Sequence, residues 1–299
     1  MTLCASASWT REEPPAATAA TATSWLLLEQ PGPWGPRALT GSRLDPALGA
    51  ALESAAEGTG VRVALIRRPG RAPSGAVSGA RQVYLAHTRP GRSWVRTLRI
   101  TAPEELLDLD FARLGGGEHD GTGDPYHGDP LALVCTNGRR DRCCAELGRP
   151  LAAELAVGGG VEVWEISHIG GHRFAPTLLT LPHGYAYGRA SAPLVKEVAT
   201  ALREGRMVTE RCRGRSAWGR AGQAAELAVR ELTGEDGADA LGVEESGTDG
   251  AGAVTVTHSD GRRWSVTVEA ADGPVLPASC GAAALPQTRM AVTAVRPLP

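Results

Sequence analysis

Residues 131–144 read LALVCTNGRRDRCC, and they decide the fold class. The short apolar run Leu131 to Val134 is typical of a buried strand, and Cys135 follows it directly. A polar, cysteine-rich loop comes next. Pro150 to Ala156 then predicts a helix, because proline is tolerated in a first helical turn and poorly inside a helix. The stretch therefore predicts a strand, a cysteine-rich loop and a helix.

Further strands and one helix follow this stretch. The predicted strands are Val161 to Ile166, Thr177 to Leu181 and Tyr185 to Arg189, and the predicted helix is Pro193 to Arg203. The order β-α-β-β-β-α is compatible with a thioredoxin-like layer of helices on a mixed sheet. We assign this unit to residues 130–210, in which Cys135 and His168 lie just beyond the ends of strands.

The preceding region predicts an N-terminal α/β domain over residues 25–115. Its predicted strands are Val61 to Ile66, Gln82 to Ala86 and Trp94 to Ile100, and its predicted helices are near Leu48 to Ala56 and Glu104 to Asp110. Residues 1–24 predict a disordered lead-in, and residues 116–129, which are rich in Gly, Asp and His, predict a linker.

Residues 211–299 predict a small C-terminal α+β appendage that contains a helix and a β-hairpin. The helix is expected near Gln223 to Leu232. Two β-rich runs, Val254 to His258 and Trp264 to Glu269, flank an Asp-Gly pair that strongly favours a hairpin turn. The chain as a whole is therefore expected to be of the α/β class, with two larger units and this appendage.

Charge and hydropathy exclude several classes of partner. The net charge of −2, from 31 basic and 33 acidic residues, provides no global field for nucleic acid or an anionic membrane. An arginine-dense run from Arg203 to Arg220 lacks interleaved aromatic residues apart from Trp218, so we expect a solvated surface there. No apolar run approaches the roughly 20 residues of a membrane span, and the N-terminus lacks a secretory signal. We expect a cytoplasmic protein with no nucleic-acid or membrane partner.

Four side chains that commonly bind metals are close together in the sequence: Cys135, Cys144, His168 and His172. Thiolate and imidazole ligands together suit zinc or iron-sulfur chemistry. The two glycines between the histidines argue against a helical His pair, because each costs a helix about 1 kcal/mol relative to alanine. We predict instead a turn after a strand, in which the glycines adopt positive φ.

Spacing alone leaves the type of site open. The eight residues between Cys135 and Cys144 exceed the two to four of a zinc knuckle, so a zinc finger fits only the histidine half. Cys143 adjoins Cys144, and neighbours in an extended segment point in opposite directions, so we expect one of them to bind. Buried thiols beside a histidine turn would have the same spacing. The remaining cysteines, which have no partner by spacing, are expected to be free thiols: Cys4, Cys212 and Cys280.

A longer motif carries a resemblance to a known family. The Cys-x8-Cys pair is followed by WEISHIGGHRFAPT at 164–177 and LPHGYAYGR at 181–189, and WLLLEQPGPWG stands at 25–35. These segments resemble the sucrase/ferredoxin-like family, and the similarity extends from about Trp25 to at least Arg230. It therefore covers most of the chain.

The resemblance implies a thioredoxin-like ferredoxin that carries a [2Fe–2S] cluster. Carried over by position, the implied ligands are Cys135, Cys144, His168 and His172. Cys143 is left open as a substitute for Cys144. A structural zinc ion bound by the same residues, or a thioredoxin-like thiol oxidoreductase, are the alternatives. The oxidoreductase is disfavoured because the sequence has no Cys-x-x-Cys motif.

The implied function is electron transfer between redox donor and acceptor proteins, which the sequence does not identify. We expect a carrier rather than a catalyst, and no pair of carboxylates is singled out for sucrose hydrolysis. Two imidazoles in place of two thiolates leave the oxidised cluster formally neutral, so its reduction potential should be raised. Because imidazole titrates near neutral pH, reduction is expected to be coupled to proton uptake.

Overall fold

The structure, a computed structural model, describes residues 3–70, 79–245 and 252–299. Within these residues, the largest feature is a mixed sheet of ten strands. In chain order they are β1 (Ser24–Glu29), β2 (Val61–Arg67), β3 (Arg81–His87), β4 (Trp94–Ile100), β5 (Asp124–Pro125), β6 (Leu131–Cys135), β7 (Glu162–Ile166), β8 (Leu178–Leu181), β9 (Tyr185–Tyr187) and β10 (Cys212–Arg215). Across the sheet the order is β10-β9-β8-β6-β7-β2-β1-β3-β4-β5. The α/β class predicted from the sequence is confirmed.

The helices cover this sheet and connect its strands. They are α1 (Cys4–Thr10), α2 (Ala38–Gly41), α3 (Pro46–Ala56), α4 (Phe111–Gly116), α5 (Arg142–Gly158), α6 (Ala192–Arg203) and α7 (Arg220–Thr233), with short 3-10 helices at Pro103–Asp108 and His172–Phe174. In the described part of the chain, none of the helices has both the length and the apolar character required to cross a bilayer.

The junction of β2 with β7 makes the sheet continuous. The two strands are antiparallel, with Ile66 opposite Ile166 and Arg67 opposite Glu165. The Arg67 guanidinium lies 2.6 Å from the Glu165 carboxylate. One residue beyond β7, the Ser167 backbone N–H donates to the Leu65 carbonyl at 2.8 Å. Strands from the predicted 25–115 and 130–210 units therefore share one sheet, and the end of β7 is held by β2.

The core of the N-terminal half is built on both faces of β1. Leu26 and Leu28 pack with Leu52 of α3 on one face, whereas Trp25 and Leu27 join the cluster on the other face. Successive side chains of a strand point to opposite faces, so a continuous apolar run is buried on both. The second cluster extends through the sheet to Cys135 and Cys144. The candidate site therefore borders this shared core.

The C-terminal region forms a second, antiparallel sheet. Its strands are β11 (Leu241–Glu245), β12 (Gly252–His258), β13 (Arg263–Pro277) and β14 (Ala284–Leu298). The hairpin predicted around Asp260 and Gly261 is confirmed, since Thr257 pairs with Arg263 across it. Valines of β12 and β13 pack on Ala225 and Val229 of α7. The sequence did not predict the length of β13 or the strand β14.

Helix α5 begins earlier than the sequence predicts. It starts at Arg142, not at Pro150, which lies inside it. The Asp141 side chain caps the helix by accepting a hydrogen bond from the Cys143 backbone N–H at 2.9 Å. Such a cap satisfies an otherwise unpaired donor of the first turn, and the interior proline is accommodated eight residues later. The cysteine pair is therefore helical rather than extended.

Two other segments also differ from expectation. Within the predicted lead-in, Cys4–Thr10 is helical, and Cys4 and Ala17 are buried. The Ala22 backbone N–H donates to the Ser216 carbonyl at 2.8 Å, so residues 3–24 pack along the sheet; residues 1 and 2 lie outside the described part. Within the predicted linker, β5 pairs with β4. Backbone hydrogen bonds to neighbouring parts of the chain hold both segments.

Candidate metal centre

Parallel pairing of β6 and β7 brings the sequence-predicted ligands to one edge of the sheet. Cys135, the last residue of β6, pairs with Ile166, the last residue of β7. His168 follows two residues later, and α5 returns Cys144 to the same place. A sulfur or ring nitrogen from each of Cys135, Cys144 and His168 lies within 4.8 Å of the other two. The carboxyl ends of parallel strands meet at one edge, which explains this convergence.

His172 stands beside this group but is outside the 4.8 Å set. Its ring centroid is 5.1 Å from that of His168, and the two planes are inclined by 38°. The structure therefore brings three of the four predicted ligands into direct proximity and places the fourth against the His168 ring.

The histidine turn requires its two glycines. Gly170 and Gly171 have φ of +78° and +71°, which confirms the predicted turn and excludes a helical His pair. Ile169 is buried and anchors the turn in the core. A Cβ on Gly171 would approach three guanidinium atoms of Arg213 to within 3.0 Å, whereas the described residues leave open space around a Cβ on Gly170. Gly170 is therefore required for its backbone conformation alone. Gly171 is required for its conformation and also because a side chain would not fit there.

The cysteine sulfurs are buried, and three of the imidazole nitrogens are buried without a hydrogen bond to the described residues. Cys135 and Cys144 are each 1% exposed. Among the described residues, His168 Nδ1 and both ring nitrogens of His172 make no hydrogen bond although they are buried. Buried polar atoms are normally hydrogen-bonded, so an unpaired set calls for a bound group. Two soft thiolates and two borderline imidazoles fit an iron-sulfur cluster, and the residues also fit a zinc ion.

The protonation states favour metal binding. The pKa of Cys135 lies well below its ordinary value, chiefly because the Cys144 thiol donates a hydrogen bond to its sulfur, with His168 adding to the effect. The same interaction raises the pKa of Cys144. Burial lowers the pKa of His172, which keeps that imidazole neutral. These shifts favour the thiolate of Cys135 and the neutral imidazole of His172, the forms in which these side chains bind metals.

Two arginines, Arg213 fully buried and Arg62 partly buried, hold the histidine turn from outside its sequence. Arg62 Nη2, on β2, donates to the His168 carbonyl at 3.0 Å, and Arg213 Nη1, on β10, donates to the Gly170 carbonyl at 3.2 Å. Arg213 is fully buried, and burial lowers its pKa to about 10. The expectation that the arginine run is a solvated surface is therefore wrong for Arg213 and for Arg215, which is also fully buried.

Sequence reasoning missed these arginines for a simple reason. Arg62 alternates with valines along a strand, which is typical of a solvent-facing position, and Arg213 belongs to a run of six basic residues. Only the packing of β2 and β10 around the turn assigns them to the site. They place positive charge beside the ligands, and Arg213 makes its other side-chain hydrogen bonds to Thr18.

The histidine side of the site reaches solvent. A cavity of about 740 Å³ opens beside His168 and is lined by Arg62, Arg140 and Ser167, among others. Glu53 and Glu57 line its far side, so the cavity carries both signs of charge. The cysteines are buried and His168 is partly exposed, so solvent reaches the ligands from the side of the His168 imidazole.

Cys143 turns away from this group. Its sulfur lies 3.4 Å from that of Cys4 and 3.2 Å from that of Cys280, two cysteines that the sequence left as free thiols. Successive residues of a helix project about 100° apart, which separates Cys143 from Cys144. Cys212 lies elsewhere, in the core beside α6, and burial raises its pKa to about 12.

Comparison with known families is consistent with this geometry. The sucrase/ferredoxin-like family matches residues 15–214, which is more than half of the chain. The chain belongs to the sucrase/ferredoxin-like family. The match includes the ten-stranded sheet up to Gly214 and all four predicted ligands, and it begins after α1. No curated protein and no solved structure matches the chain.

Proposed function

We propose that Cys135, Cys144, His168 and His172 bind a [2Fe–2S] cluster and that this chain is an electron-transfer protein. The observation that carries the proposal is a set of buried thiols and unpaired imidazole nitrogens gathered at one sheet edge in a member of the sucrase/ferredoxin-like family. When bound, such a cluster accepts and releases one electron.

Charge around the site supports reduction. The negative charges of two thiolates balance the net positive charge of two ferric ions and two sulfides, and the imidazoles are neutral. The oxidised centre is therefore neutral. Arg213 adds a buried positive charge, and the partly buried Arg62 adds another. Both donate to carbonyls of the histidine turn, which fixes their guanidinium groups near the ligands. These charges stabilise an added electron, so the potential should lie above that of an all-cysteine ferredoxin.

The partial exposure of His168 supports a role for this residue where the site meets solvent. Its partly exposed ring adjoins the 740 Å³ cavity, whereas the cysteines are buried. Added negative charge raises the proton affinity of an imidazole, so we propose that reduction is coupled to proton uptake at a ligand histidine. Donor and acceptor proteins would approach this face, where Arg62 and Arg140 line the opening.

Iron and sulfide analysis tests the proposal. The chain purified without oxygen should contain about two irons and two acid-labile sulfides and absorb visible light. Replacing Cys135→Ser or Cys144→Ser should remove most of both, because each thiolate is a ligand. Cys212→Ser is the matched control, since it removes a buried thiol that belongs to a different core cluster from Cys135 and Cys144.

The neighbouring thiol provides a sharper comparison. Cys143→Ser should retain far more iron than Cys144→Ser, because the Cys143 sulfur lies with Cys4 and Cys280. Loss of iron in Cys143→Ser but not in Cys144→Ser would reject the ligand assignment. A colourless chain that contains zinc in place of iron, lost from both Cys135→Ser and His168→Ala, would establish the alternative zinc site and end the electron-transfer proposal.

A further inference from the structure

A second group of metal-binding side chains lies behind α5. Its sulfurs come from three distant parts of the chain: Cys4 at the start of α1, Cys143 in the first turn of α5, and Cys280 between β13 and β14. The three sulfur–sulfur distances are 3.4 Å, 3.2 Å and 3.7 Å. A carboxylate, Asp141, lies with them, and one donor atom of each residue falls within 4.8 Å of the others.

The spacing fits one tetrahedral ion. Zinc–sulfur bonds of about 2.3 Å give tetrahedral sulfur–sulfur edges of about 3.8 Å. The three observed sulfur–sulfur distances are shorter than that value by about 0.1 to 0.6 Å. A cluster of several irons would distribute three thiolates over different irons and hold them further apart. The three thiols therefore converge on a single point.

Asp141 is pre-arranged as the fourth ligand. It is 4% exposed, and its Oδ1 lies 3.9 Å from the Cys4 sulfur. Its oxygens accept backbone hydrogen bonds from Cys143 and Cys280, each at 2.9 Å, so the carboxylate is fixed between two of the cysteines. Each carboxylate oxygen retains a free lone pair for a metal. Burying a carboxylate among thiols is costly unless a cation compensates it.

We propose that Cys4, Cys143 and Cys280 bind a zinc ion, with Asp141 as the fourth ligand. Three thiolates and a carboxylate carry four negative charges, of which the ion offsets two. Arg139, Arg140 and Arg142 line the adjoining cavity of about 260 Å³ and place positive charge beside the site. None of these four ligands is a proposed ligand of the cluster.

The role of this zinc ion is to fasten both ends of the chain to α5. It joins α1 and the turn between β13 and β14 to the helix that carries Cys144. Asp141 Oδ2 also lies 3.5 Å from His172 Nε2, so the two centres share a supporting residue. Closed four-coordinate zinc sites of this kind contribute directly to folding.

Metal analysis in a background without the first centre tests the site. The full chain carrying Cys135→Ser, which disables the cluster ligands, is reconstituted with zinc and freed of excess metal. We expect about one zinc per chain. Adding Cys4→Ser or Cys280→Ser should abolish this zinc, whereas adding Cys212→Ser should preserve it. Zinc that persists undiminished in the Cys4→Ser and Cys280→Ser variants overturns the proposal.

Alkylation of the wild-type chain gives an answer that is independent of how the variants fold. With zinc bound, peptides containing Cys4, Cys143 and Cys280 should be protected from a thiol reagent, and a chelator should expose all three together. A disulfide between any two of them in the anaerobically purified chain, or protection that the chelator does not change, refutes a zinc site. Cobalt in place of zinc should give thiolate-to-metal absorption, and its absence also counts against the proposal.

Discussion

Replacing Gly171 by alanine should loosen the histidine turn far more than the same change at Gly170. Both residues have a left-handed φ, for which an alanine costs about 1–2 kcal/mol. At Gly170 no steric cost is added to this conformational cost, because the described residues leave the position of the new Cβ open. At Gly171 the Cβ would meet the guanidinium of Arg213. Comparison of the two alanine variants therefore isolates the contact between the new Cβ and the buried Arg213 guanidinium.

The additional cost follows from the hydrogen bonds of Arg213. The guanidinium donates to the Gly170 carbonyl at 3.2 Å and to the Thr18 carbonyl and hydroxyl. Moving it breaks at least one of these bonds to a buried charge, which costs about 1.5–3 kcal/mol. We therefore expect a total loss of about 2.5–5 kcal/mol for Gly171→Ala and about 1–2 kcal/mol for Gly170→Ala.

Urea denaturation followed by tryptophan fluorescence measures the difference between the two variants. At an unchanged slope, the denaturation midpoint should fall two to three times further for Gly171→Ala, by these rough estimates. Iron content measured alongside should decrease in the same order. Equal midpoints for the two alanine variants would mean that Arg213 does not support the turn, and this account of the site would be wrong.

Two further predictions concern protons. Burial, followed by the charges of Arg92, Arg89 and Arg215, lowers the pKa of His87 to about 4 from 6.5. Stability from this neutral histidine is complete above pH 6.5 and is lost as the pH falls towards 4, by an amount on the order of 3 kcal/mol. Urea midpoints of His87→Gln should therefore depend less on pH in this range than those of the wild type, and parallel curves would argue against a neutral buried His87. For the proposed cluster, the midpoint potential should fall with rising pH between about pH 6 and 9, and His168→Cys should lower it by on the order of 100 mV through one added negative charge. Voltammetry that finds a flat potential contradicts proton coupling.

The local elements were predictable from the sequence because their signals are local. β4 has the predicted bounds, the strands around Cys135 and His168 differ from expectation by a residue or two, and the turn at Asp260 is as predicted. Periodicity and turn chemistry act between near neighbours in the chain, so these elements can be predicted without the tertiary structure. The start of α5 was missed because a capping aspartate outweighed the usual effect of Pro150.

The fate of each charged or thiol side chain required the tertiary structure. Arg62 and Arg213 lie far apart in the sequence, and only the joining of β2 to β7 and the edge position of β10 bring them to one turn. Cys4 and Cys280 have no informative spacing, since 276 positions separate them along the chain. Contacts at such separations depend on the global path of the backbone, which no local pattern encodes.

By itself, the sequence indicated the α/β class and the glycine-dependent turn, because each rests on residue type and short spacing, and its family resemblance supplied the candidate ligands Cys135, Cys144, His168 and His172. The tertiary structure alone decided that one sheet spans both predicted units. It also decided which arginines are buried, and that Cys143 faces Cys4 and Cys280. The physical reason is that burial and long-range contact arise only when distant strands and helices pack together.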